Sequence, residues 1–499
     1  MSKTVFTTAQ QPKMRQSGVE LLKIFGILLV VLSHVVQTLE SNYEGFSYAL
    51  DFYSPTLNPT LLTLAVLRYS GNLGNTIFFI CSAWFLTNSK RTTFQKILRI
   101  IGDVWVISML WLLTAWLTKT PLNEKQLLLS FFPIIKNSNW YITSYLVFCF
   151  IYPFLNFIIK RCDKKKHLFL ALASFSLYIT PNFLFNFPPY INWVLWSAIY
   201  LVISYFKLYR DDFCKAKKGN LILLLVGVLG NLILIFVSNA VGLKYPDSHA
   251  SALMWATRSN VFMLAFCFAL LNLFGQMRFR SKFINYISSL SLLVYVIHEN
   301  IIFRRLYRPH IWQWIHDFLG YDCVLVWTVL FVIILFVLSC LIATVYKFTL
   351  QKIVYYIVDK PGAWLDGLYQ KCEKALRKRF VKPHEMRLQH VPFTAIECGT
   401  KRIEMRLLDE KRKKLAVGHF IRFTDAENGN TLLCEVVALH KYATFEELYA
   451  HFDKIALGYS EEETADPADM LVYYKEEDIE KFGVVGIEVK KSKEISTKG

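Results

Sequence analysis

GVELLKIFGILLVVLSHVVQT, residues 18 to 38, is long enough to cross a bilayer as a helix, yet it carries Glu20, Lys23 and His34. Ionisable groups inside a membrane helix are costly, so each is a functional-site hypothesis. Lys23 and His34 stand eleven residues apart, close to three helical turns, and so share a face about 16 Å apart along the axis. Glu20 and Gln37 fall near the same stripe. The segment reads as a helix with an apolar outside and a polar seam.

The rest of the chain has the same character. Of 499 residues, 54% are hydrophobic, with 40 Phe, 26 Tyr and 12 Trp, and the mean hydropathy is +0.34. Such a composition excludes an ordinary soluble enzyme and points to a polytopic membrane protein. The ten cysteines are scattered, several inside apolar runs, and form neither a disulfide framework nor a metal-ligand pattern. The net charge of +18 is uneven: residues after about 385 are acidic by roughly five charges, leaving the membrane part near +23.

Ten spanning helices are expected, near 18–39, 70–88, 97–118, 139–159, 167–184, 190–206, 219–241, 253–275, 283–303 and 324–347. Loops 88–96, 160–166, 207–218 and 276–282 are basic. Loops 40–60 and 185–189 have no Lys or Arg, and 242–252 has only Lys244. Loop 119–138, with three lysines, and loop 304–323, with three arginines, fit this alternation less well. The alternation places both termini in the cytoplasm of a multi-pass cell-membrane protein, with the lipid bilayer as its first partner. The expected organisation is an all-α membrane bundle over 1–347, a basic juxtamembrane helix over 348–384, and a small cytoplasmic α+β domain over 385–493. Strand-like runs in that last part are 419–423, 431–439 and 483–489, with a helix over 445–452.

On this topology several helices bring polar groups to one outer layer: His34; Asn72 and Asn75; Trp140; Arg258; and Tyr295, His298 and Glu299. Ser82 falls near mid-membrane, and Glu20 and Lys23 near the inner end. Ser288, Ser291, Tyr295, His298 and Glu299 are spaced to share one face of the ninth helix. An imidazole suits proton removal from a hydroxyl, its ordinary pKa being near 6.5. A carboxylate such as Glu299 would orient it, and Asn72, Asn75, Arg258 or Tyr295 would serve as oxyanion donors. Lys23 would receive a phosphate-bearing donor, or else would snorkel to headgroups. A polar path with two mouths also suits a secondary transporter or flippase.

LLKIFGILLVVLSH, GNLGNTIFFICSAWFL, NWYITSYLVFCFIYPFL and SSLSLLVYVIHENII resemble, in order, the motif blocks of acyltransferase family 3, over about residues 15–350. That resemblance implies a membrane enzyme moving an acyl group, in particular acetyl, from cytoplasmic acetyl-CoA or another acyl-CoA to a hydroxyl of an extracytoplasmic glycan. It further implies His34 as general base or transient acyl carrier, assisted by His298 and Glu299. Lys23, with Glu20, would lie near the donor, and a cell-surface polysaccharide or glycolipid would be the acceptor. No metal is expected. Lys23 stands where the family has arginine, and Ser82-Ala83-Trp84 where it usually has Ser-Gly-aromatic. GTKRIEMR at 399–406 is similar to the GxKxxExR signature of ASCH domains, PUA-like β-barrels. This resemblance implies RNA or nucleoside binding through Lys401, Glu404 and Arg406. A membrane-anchored RNA- or nucleoside-binding protein is therefore a further reading.

Overall fold

The computed structural model describes residues 16–40, 50–52, 54–89, 91–134, 139–185, 192–248, 256–320, 323–380 and 383–492. The chain divides into two compact units, Met1–Ala363 and Trp364–Gly499. The expected starts of the helices at 190 and 253, the loop 185–189 beyond its first residue, and parts of loops 40–60, 119–138, 242–252 and 304–323 lie outside the described residues.

The first unit is helical. Five of its helices are long and apolar enough to cross a membrane: Ser17–Gln37, Phe94–Leu117, Trp140–Ile159, Lys217–Lys244 and Val324–Phe348. The other five expected spans are helical but, among the described residues, fall short of that length or hydropathy. Ser70–Leu86 has 17 residues and Val261–Gly275 has 15. Lys164–Phe185 contains a wide turn at Phe175–Ile179, and Asn192–Tyr209 has 18 residues. The expected helix 283–303 breaks at Leu290 into Lys282–Ser289 and Ser291–His298, because the amide of Leu290 turns back to Ile287 and Ser288.

Arg258 and Asn260 are displaced from where the apolar run suggests. The helix begins only at Val261, and Asn260 is its N-cap, its side chain accepting from the amides of Phe262 and Met263. Among the described residues, three helices of eight or more residues fall in stretches read as loops: Pro59–Arg68, Glu124–Phe131 and Arg308–Leu319. Each is short and starts with Pro or an asparagine cap, signals that hydropathy does not register.

Close helix contact comes from small residues, as expected where lipid removes the hydrophobic drive between helices. A Cβ on Gly74 would lie 2.4 Å from the Gly26 carbonyl oxygen, and one on Gly71 would lie 2.8 Å from Ser33. The helix Ser70–Leu86 therefore runs antiparallel to Ser17–Gln37 at near-backbone contact. Outward faces stay apolar and exposed, as at Trp116, Leu225, Ile233 and Leu341.

The second unit holds a five-stranded sheet: β1 (His384–Leu388), β2 (Ile403–Leu407), β3 (Phe420–Asp425), β4 (Thr431–Tyr442) and β5 (Val484–Lys491). The order is β1-β3-β4-β5-β2, with β1 parallel to β3 and the other pairs antiparallel. β1 and β2 form open edges, so the sheet is a half-barrel rather than the closed barrel expected. A bulge between Val436 and Ala438 bends β4, the longest strand. Ile421, Phe423, Cys434, Val436 and Ile487 are fully buried in one cluster with Phe393 and Ile396 of the helix His390–Cys398. β1 and β2 are absent from the strand reading although HEMRL and IEMRL alternate charged and apolar residues, since each is only five residues long.

His390 Nδ1 meets the buried carboxylate of Asp425 at 2.7 Å, tying the helix His390–Cys398 to the end of β3. The hydrogen bond to Asp425 raises the His390 pKa. Burial acts against the Asp425 carboxylate, but His390 and the Glu427 amide hold it below the ordinary range. A raised imidazole contributes stability that is complete below its unfolded value, about 6.5, and lost as pH rises through the folded value. A depressed carboxylate contributes stability that is lost as pH falls through its own folded value. The melting temperature of this unit should therefore fall on going alkaline of about pH 6.5. Thermal scans of the intact chain against His390→Asn test this, since the variant should lose that slope.

Candidate functional site

Three side chains from two helices converge at one end of the bundle. His34, near the end of Ser17–Gln37, places Nδ1 3.0 Å from Nε2 of His298 and 3.1 Å from Oε2 of Glu299. His298 ends its helix, and Glu299 is the cap residue after it, so the break there turns both side chains toward His34. Tyr295, one turn earlier, lies against both imidazoles at ring separations of 6.2 and 6.1 Å.

The proton positions follow from the partners. His298 Nδ1 is 2.6 Å from the Val294 carbonyl oxygen, which only accepts, so that nitrogen carries the hydrogen. Nε2 of neutral His298 is then an acceptor. His34 Nδ1 therefore faces two acceptors, this nitrogen and the Glu299 carboxylate, and carries its own hydrogen. Nε2 of His34 is left with a lone pair, the form a general base needs.

Glu299 is also the hub of a buried ion cluster. Its Oε1 accepts from Arg304 Nη1 at 2.8 Å and its Oε2 from Arg308 Nη1 at 3.1 Å, with Arg308 fully buried. The helix Arg308–Leu319 supplies Arg308, and its Trp312 donates to the Val35 carbonyl, pinning it beside His34. Trp111 donates to the Ile297 carbonyl and Asn300 to Ser108, fixing the other flank. Neither arginine was among the residues read from sequence. The signal was present in the three arginines of loop 304–323, one of two loops that depart from the charge alternation. The ligand atoms of His34, His298 and Glu299 lie within 4.8 Å of one another, close enough to bind a cation. Both Glu299 oxygens already serve guanidinium groups, however, and a cation would join two positive charges.

At the other end of the same helix, Lys23 Nζ is 3.3 Å from both Glu20 oxygens, and Ser288 donates to Glu20 at 2.5 Å. Lys23 also sits 5.7 Å from the Phe85 ring. Ser82 belongs to this layer, about 15 Å further along its helix than Asn72. Nearby, Gln16, Val19, Trp84, Lys215, Gln276 and Arg278 line a cavity of about 440 Å³.

The remaining candidates form a third group. Asn72, Asn75, Trp140, Trp196 and Arg258 line a small cavity of about 20 Å³. Asn72 donates to the Ala256 carbonyl at 2.8 Å, and Arg258 lies over the Trp140 ring at 4.0 Å. Tyr141 joins this group to the histidines, its ring 5.6 Å from Trp140 and 6.5 Å from Tyr295. Arg258, Asn72 and Asn75 are thus separated from His34 by aromatic rings rather than set against it.

In the second unit, Glu404 is buried between Lys401 (3.6 Å) and Arg406 (2.8 Å). Lys401 donates to the Leu457 carbonyl and Arg406 to that of Arg387. Burial lowers the Lys401 pKa, with Glu404 opposing. The three residues read from the signature do meet, on β2 and the turn before it.

No curated protein matches the chain. Two solved structures resemble part of it, each at a TM-score of 0.19. The crystal structure of hypothetical protein PH0355 is 30% identical and covers 22% of this chain and 100% of that one. The solution structure of protein PF0455 from Pyrococcus furiosus is 31% identical and covers 23% and 100%. Residues 386–493 match the ASCH domain family model. Residues 16–346, about two thirds of the chain, match the acyltransferase domain of acyltransferase family 3. The chain belongs to that family of membrane acyltransferases and carries an ASCH domain in its C-terminal part.

Proposed function

We propose that this acyltransferase moves an acyl group, acetyl in the simplest case, from cytoplasmic acyl-CoA to a hydroxyl of an extracytoplasmic polysaccharide or glycolipid. The observation that carries the reading is His34 Nδ1 held by Glu299 at 3.1 Å and His298 at 3.0 Å, which leaves Nε2 basic. His34 Nε2 takes the acceptor's hydroxyl proton as that oxygen attacks the thioester carbonyl. The tetrahedral intermediate collapses, the C–S bond breaks, and the imidazolium returns the proton to the leaving thiolate. The products are the ester and the free thiol. Glu299 stabilises the imidazolium in between, and Tyr295 is the neighbouring hydroxyl suited to the oxyanion.

The layer of Glu20, Lys23 and Ser82, with the adjoining cavity, is the proposed donor entrance. Lys215 and Arg278 at that cavity would meet phosphates. In this reading the bundle crosses the membrane ten times with both termini cytoplasmic, the domain boundaries stay at 347 and 385, and the chemistry needs no metal. The ASCH domain is proposed to bind RNA or a nucleoside at Lys401, Glu404 and Arg406.

The test uses sealed vesicles holding the full chain, with labelled acetyl-CoA on the cytoplasmic face and surface glycan on the other. Label in the glycan as an alkali-labile ester supports the reading. Uptake or export of unmodified glycan, with no label from any acyl-CoA, would favour transport instead.

A further inference from the structure

Several arginines of the helical unit are met by carboxylates. Arg68 pairs with Glu40 at 2.9 Å, Arg99 with Asp359 at 2.6 Å, and Arg304 and Arg308 with Glu299. Arg258 departs from this. Its Nη1 donates to the amide oxygen of Asn192 at 2.7 Å, and its guanidinium lies over the Trp140 ring. No carboxylate among the described residues forms an ion pair with it. Its setting is aromatic, and a guanidinium offers five donors in a planar fork suited to a carboxylate or phosphate.

The surroundings suit a ligand anion. Arg258 faces the cavity shared with Asn72, Asn75 and Trp140. At about 20 Å³ it is too small for a sugar ring, so an anionic substituent would meet Arg258 at the mouth of the cavity. An oxyanion donor would have to lie about 3 Å from the reacting carbonyl. Arg258 instead stands beyond Tyr141 and Tyr295, whose rings lie between Trp140 and His34. It is placed to hold a part of the substrate that does not react, where binding energy positions the hydroxyl.

We propose that Arg258, with Asn75 and Trp140 beside it, receives an anionic group of the acceptor, and that the acceptor is therefore an acidic glycan bearing carboxylate or phosphate. This rests on the acyl-transfer reading above. The test is transfer by the full chain in nanodiscs to three matched oligosaccharides: one bearing a uronate, its carboxyl-reduced counterpart, and a phosphorylated version of the latter. The wild type should favour an anionic acceptor by about 10- to 100-fold in kcat/KM, as expected of a charge-assisted contact. Arg258→Gln should bring that ratio near one, and Arg258→Lys should keep part of it. Whichever anion is preferred identifies the group. Equal use of all three by the wild type, or an undiminished preference in Arg258→Gln, overturns the proposal. If Arg258→Gln does not fold, the wild-type ratio and the lysine variant decide. If no sugar is acylated, the acyl-transfer reading fails by itself. The anion subsite is then judged by thermal stabilisation, which the acidic sugars should produce and the reduced one should not.

Discussion

Replacing His34 by alanine should lower acyl transfer by about 10²- to 10⁴-fold, the usual worth of a positioned general base. The replacement removes the nitrogen that the tautomer chain leaves basic while keeping the buried ion cluster, since Glu299 still holds Arg304 and Arg308. Insertion and melting temperature should therefore change little. His34→Gln should be as inactive as alanine, because an amide reproduces the shape and hydrogen bonds but takes no proton. His298→Ala should do less harm: its loss removes one of two acceptors on His34 Nδ1 and leaves Glu299 in place. The measurement is single-turnover transfer from labelled acetyl-CoA in vesicles with matched protein content. Transfer by His34→Ala at the wild-type rate would clear His34 of the chemistry, and a larger loss in His298→Ala would reassign the base.

Glu299→Gln should cost both activity and stability. The carboxylate sets the His34 tautomer, stabilises the imidazolium and neutralises two guanidinium groups, one of them fully buried. Removing one partner of a buried pair typically costs about 3–5 kcal/mol, because the surviving charge keeps its desolvation penalty. The midpoint of thermal unfolding in detergent should drop well below that of His34→Ala, and transfer should fall at least as far. In Glu299→Gln/Arg308→Met, an apolar side chain replaces the buried charge, so stability should partly return while activity does not. A Glu299→Gln protein as stable as wild type would show that the cluster adds nothing to the fold. Recovery of activity in the double variant would remove Glu299 from the reaction.

Much of this architecture was legible in the chain. Ser17–Gln37 and Val324–Phe348 are readable because long apolar runs have few alternatives to a spanning helix. Ser70–Leu86 and Val261–Gly275 are harder to delimit, since the hydropathy of FFICSAWF or VFMLAFCFALLNLF does not reveal where a cap ends the helix. Asn260 falls inside the expected helix 253–275, yet an asparagine before an apolar run is also an N-cap, and the helix starts after it. In the ASCH domain the apolar strands β3, β4 and β5 stand out, whereas the edge strands β1 and β2 are five-residue stretches whose alternation is too short to stand out.

The candidate site divides along the same line. His34, His298, Glu299 and Tyr295 could be named from sequence because ionisable and polar groups are rare inside membrane helices and here fall on shared faces. Helical rise also separates Lys23 from His34 correctly, since both lie on one unbroken helix. Sequence could not supply the break after His298, the short helix that swings Arg308 under Glu299, or the rings of Tyr141 and Tyr295 between Arg258 and His34. Each depends on contacts between segments remote in sequence, for which local hydropathy and periodicity carry no information. The residue types and their layers are therefore properties of the sequence. Which nitrogen is basic, and which arginines have their counter-charge, was decided only by the packing of one helix against another.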